Sequence, residues 1–485
     1  MHWIRAGMAS ALLCFGVGCD GRDGGAVQPP DVNDQQPPGV NDPQPPASTD
    51  ATVTIDPTIR FQVVEGWEAH AESAHEHPAF HLFKDELFDR AVNELGINRI
   101  RLSVRSGAET RTDWYALRRS GQIDNATHRT KRYATVNDND DPLSLDRTGF
   151  RFSHTDSLVR NVVLPLKQRL EARGESLFIN VNYVGFHRQI TDGGDYHHDD
   201  PDEYAEFVLA THLHLRDEYG IIPDAWEVIL EPDNTDMWRG RQIGEAIVAS
   251  AERLRAHGFD TPFIAPSNTN MGRAIDYFDD MIEVQGVRER LAEFSYHRYG
   301  GVSNANLQAI ADRSAQHGVR SSMLEHIGSG HEDLHEDLTL GGVSAWQQFA
   351  LAFQQTRPLN DRGGVYYRVD VTDPANPEIV IGDRTRYLSQ YFRYVRRGAV
   401  RIMAASKDDA FDPVAFVNPD GGYVVVIKAD SGGELSIGGL PAGAYGVNYT
   451  TAQAFNVDGP ERSVSEDGAL DVGIPDSGVL SIYKK

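Results

Sequence analysis

The sequence predicts an α/β protein, a (β/α)8 TIM barrel with an attached antiparallel β-sandwich domain. Eight strand-like apolar runs, with helix-like segments between them, occupy residues 61–371, and such alternation is typical of a parallel sheet. Eight units favour a closed barrel over an open, doubly wound sheet, which is the alternative. After residue 386 the chain changes to short strand-like runs separated by Gly, Pro, Asp and Asn, which is typical of a sandwich.

The barrel elements follow one another in a regular order. The strand-like runs are 61–67, 97–104, 176–184, 225–231, 262–268, 293–299, 321–327 and 363–371. Helical periodicity follows each of the first seven runs. The helix predicted over 79–96 ends at Gly96, and the last predicted helix covers residues 341–357.

These patterns divide the chain into five segments. They are a signal peptide (1–18), a Pro-rich disordered tether (19–50), an N-terminal strand joining the β-sandwich (51–60), the barrel (61–385) and the β-sandwich (386–485). The first strand is assigned to the sandwich because no helix follows it before the barrel begins. The tether is too rich in Pro, Gly, Asp, Gln and Asn to bury an apolar core.

The N-terminus carries an export signal. Arg5 precedes a short apolar run over residues 9–17, as in secretory signals. The run ends in Gly18 and Cys19, which resembles a bacterial lipoprotein signal and implies lipidation of Cys19. An ordinary secretory peptide is the alternative. Both interpretations predict export, and the first predicts a lipid anchor in a bacterial membrane, facing the periplasm or the cell exterior.

The composition excludes several classes of partner and chemistry. The chain has 46 Lys+Arg against 71 Asp+Glu and a formal net charge of −25. An acidic surface argues against nucleic acid and against charge-driven binding to anionic lipid, so we expect membrane contact only through the N-terminal anchor. The only cysteines are Cys14 and Cys19, which leaves no thiol nucleophile and no Cys-based metal site after export. We expect a monomer without a cofactor.

Two glutamates end predicted barrel strands, where TIM barrels place their active sites. Glu231 ends the fourth strand and Glu325 ends the seventh. Glycoside hydrolysis needs such a pair, one carboxyl protonated and the other ionised. Arg101 on the second strand and Tyr299 on the sixth are suitable donors to keep Glu325 ionised. Glu231 is then the predicted acid/base, while Glu227, one layer lower, is predicted to be structural.

Several motifs resemble the clan A glycoside hydrolases, and the most similar group is glycoside hydrolase family 30. "WEVILEPDN" is similar to their strand-4 Glu-Pro motif, "HRY" (297–299) to their strand-6 His-x-Tyr, and "RIRLSV" to their strand-2 Arg. "YLSQYFRYVRRGAVRI" (387–402) is similar to the family 30 junction between barrel and side sandwich. The resemblance implies a retaining enzyme that cleaves a β-linked polysaccharide or oligosaccharide. The resemblance also implies that Glu325 is the nucleophile and that Arg101, His297 and Tyr299 contact the substrate.

One residue departs from this pattern. Leu230 stands where clan A enzymes usually have an Asn that binds the 2-hydroxyl of the sugar. We expect Asn182 or Asn268 to replace it, or the substrate to be unusual, or the activity to have lapsed. In the last case the chain is a carbohydrate-binding lipoprotein.

Aromatic residues near strand ends are candidates for stacking on sugars. Trp238 and Tyr366 are predicted to bind substrate in this way, and Trp67 and Tyr183 are further candidates.

A metal-dependent hydrolase on the same barrel is the remaining alternative. The segments 69–81, 196–200 and 324–337 are rich in His and lie near strand ends. However, loop histidines without a metal are the interpretation we prefer. We therefore predict no metal site.

Overall fold

The computed structural model describes residues 52–186, 196–235, 237–361, 363–466 and 468–485. Its strands are β1 (Val53–Val63), β2 (Gly66–Ser73), β3 (Arg99–Arg105), β4 (Phe178–Val184), β5 (Ala225–Glu227), β6 (Phe263–Asn270), β7 (Leu291–Gly300), β8 (Arg320–Glu325), β9 (Val343–Gln355), β10 (Val365–Asp370), β11 (Glu378–Ile381), β12 (Val400–Ser406), β13 (Phe411–Val417), β14 (Tyr423–Ala429), β15 (Gly433–Gly438), β16 (Gly443–Thr451), β17 (Val457–Asp458), β18 (Arg462–Val464), β19 (Leu470–Ile474) and β20 (Gly478–Lys484). The predicted signal peptide, the tether and Cys19 lie outside the described residues.

The helices cover the outside of the barrel. They are α1 (Phe80–Arg90), α2 (Trp114–Arg119), α3 (Asn125–Lys131), α4 (Ser153–Leu158), α5 (Leu164–Glu171), α6 (Pro201–Tyr219), α7 (Gly240–Ala256), α8 (Met271–Ile282), α9 (Asn304–His317), α10 (His331–Thr339) and α11 (Thr385–Phe392). Local chemistry sets their ends. The α6 helix begins with Pro201 after Asp200, whose carboxylate accepts two backbone N–H groups, and ends at Gly220 in a left-handed conformation. Within the described residues, no helix is both long enough and apolar enough to cross a bilayer.

The parallel strands β2 to β9 form a closed barrel, because β9 pairs with both β8 and β2. Strands β10 and β11 extend the sheet from β9. The predicted fold class is confirmed. The inner faces of neighbouring strands meet in register, as when Arg101 lies beside Asn180.

Two elements at the end of the barrel were predicted wrongly. Residues 341–357, predicted as a helix, contain β9, which is the eighth barrel strand, and the predicted strand 363–371 contains β10, which lies beside it. Nearly every residue of β9 from Val343 to Ala352 is buried. A strand buried on both faces carries a continuous apolar run, and periodicity cannot distinguish that run from a buried helix.

The second sheet contains strands from both ends of the chain. Its order is β17-β16-β20-β14-β13-β12-β1-β15-β19, with β18 paired to β16. Strand β1 pairs antiparallel with β12, so that Val53 lies opposite Ser406, and parallel with β15. The sheet is therefore mixed rather than purely antiparallel. Its core is a separate apolar cluster that includes Val53, Phe411 and Leu480.

Candidate active site

Glu231 lies just beyond β5, where the chain leaves the barrel. Its backbone is left-handed (φ 50°, ψ 61°) at the start of a short 3-10 turn over Pro232–Asn234. A non-glycine residue in this region carries strain of about 1–3 kcal/mol, which is concentrated at functional sites. The side chain of Asn234 donates a 2.7 Å hydrogen bond to Oε2 of Glu231. Burial raises the pKa of Glu231 to about 7, although this hydrogen bond lowers it.

Glu325 ends β8 and has two donors on its carboxylate. One is the guanidinium of Arg101, from the inner face of β3, which forms an ion pair with Oε2. The other is the hydroxyl of Tyr299, which donates a 3.0 Å hydrogen bond to Oε1. Arg101 also donates to the carbonyl of Leu324 at 3.2 Å, which fixes the guanidinium in place. These two contacts hold both oxygens of the Glu325 carboxylate in place.

The two glutamates converge at one point of the barrel mouth. One carboxylate oxygen of each and one ring nitrogen of His297 lie within 4.8 Å of one another. His297 Nδ1 is 3.3 Å from Oε1 of Glu231, and burial lowers the pKa of His297 to about 4. Retaining glycosidases separate their carboxyl groups by about 5–5.5 Å, so this pair has the spacing for attack on an anomeric carbon held between them.

Below the site, charged side chains fill the barrel interior. Arg99 lies between the carboxylates of Glu68 and Glu293, and all three are almost completely buried. One layer higher, Glu227 accepts a 3.1 Å hydrogen bond from the amide of Asn180. These groups have no opening to solvent, so they support the site from beneath.

Asn182 and Asn268 are both fully buried, on β4 and β6. Neither the amide nitrogen nor the amide oxygen of either side chain has a partner among the described residues. Asn182 lies two residues after Asn180 and therefore on the same face of β4. The Asn180 side chain points into the barrel, so the Asn182 amide also lies inside the barrel, nearer the mouth. Leu230 instead packs on the apolar cluster of Tyr133, Val184 and Phe186.

The structure does not bring Trp238 and Tyr366 to the site. Trp238 is 1 % exposed, packs edge-on against Tyr204 and donates to the hydroxyl of Tyr196 at 2.8 Å. Tyr366 is fully buried, and its hydroxyl donates to the carbonyl of Glu68 at 2.8 Å. Neither ring has a free face for a sugar, so their predicted stacking role is corrected to one in packing. Trp67 and Tyr183 are buried in the same core.

The His-rich segments do not assemble a metal centre in the part of the chain that the structure describes. The group of three ligating side chains that converges there is Glu231, His297 and Glu325, which is the carboxylate pair itself. In the segment 196–200, His198 Nε2 forms a 2.5 Å hydrogen bond with the carboxylate of Glu109. In the segment 324–337, His335 Nδ1 forms a 2.9 Å hydrogen bond with the hydroxyl of Tyr391.

Sequence reasoning missed Asn234 as a site residue. It lies within the "EPDN" run, three residues after Glu231. A tight turn after a Glu-Pro pair brings position i+3 back to the glutamate, and the Asn234–Glu231 hydrogen bond is this contact. The three-residue spacing after the Glu-Pro pair could therefore have predicted the contact between Asn234 and Glu231.

Comparisons with known proteins agree with this architecture. Residues 398–437 match the model of the glycosyl hydrolase family 30 beta sandwich domain. No curated protein matches the chain.

Solved structures match nearly the whole chain at low sequence identity. A family 30 endoxylanase from Clostridium papyrosolvens C71 has a TM-score of 0.62 at 15% identity, over 90% of this chain and 100% of its own. An endo-β1,6-glucanase has a TM-score of 0.61 at 17% identity, over 92% and 97%. A glucosidase from Croceicoccus marinus has a TM-score of 0.54 at 15% identity, over 90% and 99%.

The match of the sandwich segment and the shared fold confirm the resemblance that the sequence motifs carry. The architecture of this chain is therefore that of the glycoside hydrolase family 30 proteins.

Proposed function

We propose that this chain is a retaining glycoside hydrolase that cleaves a β-linked glycan by double displacement. The observation that carries the proposal is the pairing of Glu231 and Glu325 in opposite environments. One carboxyl group is buried with a pKa of about 7, whereas the other contacts a guanidinium and a phenol. Two carboxyl groups whose environments differ in this way divide naturally into an acid and a nucleophile.

In the first step the ionised Glu325 attacks the anomeric carbon. Glu231 gives its proton to the leaving oxygen, which departs as an alcohol, and a glycosyl ester forms on Glu325. Arg101 and Tyr299 orient the attacking carboxylate. Since Glu231 is half protonated near pH 7, it can act as an acid at neutral pH.

In the second step Glu231, now ionised, takes a proton from water. The water oxygen attacks the anomeric carbon, the ester bond to Glu325 breaks, and the sugar is released with its original configuration. Asn182 supports binding of the sugar 2-hydroxyl in both steps, because its buried amide has donors and an acceptor without partners among the described residues. Leu230 cannot form such a contact.

The product of azide rescue tests these roles on an activated aryl β-glycoside. In Glu231→Ala the first step persists because the leaving group needs no proton, and azide replaces the activated water to give a β-glycosyl azide. In Glu325→Ala azide enters from the vacated face and gives the α-azide. NMR distinguishes the two products. If both variants give the same anomer, or if azide rescues neither, the assigned roles are wrong.

The alternative functions make different predictions. A metal-dependent hydrolase would lose activity in EDTA, whereas the proposed enzyme keeps it. A lapsed carbohydrate-binding protein would bind glycans without hydrolysing any aryl glycoside or polysaccharide.

We propose further that the protein is exported and anchored by a lipid on Cys19. The arrangement of Arg5, the apolar run 9–17 and Gly18-Cys19 supports this. The test is incorporation of radiolabelled palmitate by the full chain, with Cys19→Ser as the control variant. Label in the Cys19→Ser variant, or no label in either protein, would contradict the anchor.

A further inference from the structure

A cationic cluster lies beside the proposed site, at the ends of β2 and β3. Arg105 is the last residue of β3 and lies on the same face as Arg101. Four residues along a strand correspond to about 13 Å, so Arg105 is above the catalytic pair at the rim of the mouth. Its side chain is partly buried, yet it forms no hydrogen bond or ion pair with any described residue. An unpaired guanidinium in such a position is costly for the fold alone.

Histidines surround this arginine. Both ring nitrogens of His75, which is 8 % exposed, lack a hydrogen-bond partner among the described residues, as does Nδ1 of His70 and of His154. Arg105 and His75 both act electrostatically on His70 and His154, so the four groups are neighbours. Since a neutral imidazole carries one N–H group, each of these histidines can donate one hydrogen bond to a ligand. The common partner for an unpaired guanidinium and several imidazoles is an anion.

A small cavity opens beside Arg105 and His154. Its volume is about 30 Å³, and its lining includes Arg105, Trp114, His128, Arg132, Arg151 and His154. A cavity of this size accepts a small charged head group but not a sugar ring. The half-buried Trp114, over whose ring the ammonium group of Lys131 lies at 5.9 Å, also lines the cavity.

Acidic neighbours do not neutralise the cluster. The carboxylate of Glu76 is held by Arg118. Asp113 accepts from the backbone N–H of Ala116 and from the hydroxyl of Ser153. Glu72 and Glu76 both act electrostatically on Arg105, but neither carboxylate forms a hydrogen bond or ion pair with it. In a chain with a net charge of −25, a guanidinium without an ion-pair partner among the described residues therefore stands out at this rim.

We propose that Arg105 and its cavity bind the oxyanion head, a carboxylate or a sulfate ester, of an acidic glycan whose chain continues into the cleft between Glu231 and Glu325. This inference rests on the proposed function and defines its substrate class. The distance between Arg105 and the catalytic pair requires an oligosaccharide rather than a single sugar. The oxyanion accepts hydrogen bonds from the guanidinium and the imidazoles, and the ring that carries it contacts Trp114.

Binding can be measured without turnover by affinity electrophoresis in the Glu325→Gln background. The probes are polygalacturonate for carboxylates, chondroitin sulfate for sulfate esters together with carboxylates, dextran sulfate for sulfate esters alone, and a neutral β-glucan. Arg105→Met should weaken binding of the preferred acidic probe about tenfold or more, the range for loss of a charge-assisted hydrogen bond. Arg129→Met is the matched control, because Arg129 is an exposed residue of α3 and the net charge changes equally. It should change the affinity less than twofold.

The outcomes separate this inference from the proposed function. Equal effects of Arg105→Met and Arg129→Met, or a neutral probe bound as tightly as the acidic ones, would overturn the anionic site. A lower Tm in Arg105→Met than in Arg129→Met would assign Arg105 to the fold and would also overturn it. Loss of binding in Arg105→Met, combined with no hydrolysis of any glycan by the wild type, would keep the site and remove the proposed function.

Discussion

The Nδ1 atom of His297 lies 3.3 Å from the Oε1 atom of Glu231, and neither side chain has appreciable access to solvent. Burial drives their pKa values in opposite directions, to about 4 for the imidazole and about 7 for the carboxyl group. At pH 6 both groups are therefore mainly neutral. A neutral imidazole places no positive charge beside Glu231. Since such a charge would lower the pKa of this carboxyl group, its absence helps Glu231 to stay protonated.

The first prediction concerns the pH dependence of kcat/KM on an aryl glycoside. The acid must be protonated, so kcat/KM should fall as the pH rises through about 7, the pKa of Glu231. Asn234→Ala removes a hydrogen bond that lowers this pKa and should move the basic limb to higher pH. Asp233→Asn removes a negative charge that raises it and should move the limb to lower pH. Shifts of both variants in the same direction would contradict the assignment of the acid.

A second prediction concerns stability. The pKa of Glu231 is raised from 4.5 to about 7 in the folded protein, so its favourable contribution is complete below pH 4.5 and is lost as the pH rises through 7. Glu231→Gln has no ionisable group at this position and does not lose this contribution. The difference in the free energy of unfolding between Glu231→Gln and the wild type should therefore change in favour of the variant between pH 5 and pH 8, to about 3 kcal/mol. Urea unfolding at both pH values measures it. Exposed Glu283→Gln should show no such growth.

The third prediction concerns the sugar 2-hydroxyl. Asn182→Ala should lower kcat/KM about 100-fold on an aryl glycoside that carries this hydroxyl, since such contacts contribute several kcal/mol in the transition state. On the matched 2-deoxy glycoside the variant and the wild type should be equal. Asn268→Ala is the parallel variant, because Asn268 has the same unpartnered amide on β6. An equal loss on both substrates would remove Asn182 from this contact.

The fourth prediction tests the corrected role of Trp238. Trp238→Phe removes the hydrogen bond to Tyr196 and leaves a space in an aromatic core. The free energy of unfolding should fall by about 1–3 kcal/mol, while KM for a polysaccharide stays unchanged. Denaturant unfolding and steady-state kinetics provide the two measurements. A raised KM with unchanged stability would return Trp238 to substrate binding.

The sequence predicted correctly those residues whose positions follow from the order of the barrel strands. Glu231 follows the fourth barrel strand and Glu325 ends the seventh, and the carboxyl ends of parallel strands meet at one mouth. Arg101 and Tyr299 meet Glu325 for the same reason. The misplacement of the eighth strand did not affect this, because β9 follows Glu325 in the chain.

The remaining features depend on side-chain burial, which strand position alone does not predict. Trp238 and Tyr366 lie near strand ends, yet tertiary packing covers both rings. The significance of Asn182 and Arg105 appears only when their polar atoms are found without partners. Whether a polar atom lacks a hydrogen-bond partner depends on all the residues packed around it, and a local sequence pattern does not predict this.

The pairing of β1 with β12 makes the barrel an insertion between two adjacent strands of the second sheet. During synthesis β1 leaves the ribosome first, whereas its partners β12 and β15 leave it after the whole barrel has been made. The barrel strands can close before the chain is finished, but β1 remains an unpaired strand until then. A product truncated after residue 399 would keep both Glu231 and Glu325 and expose β1 as an edge open to pairing with other chains. Premature termination should therefore produce aggregation rather than a free catalytic barrel.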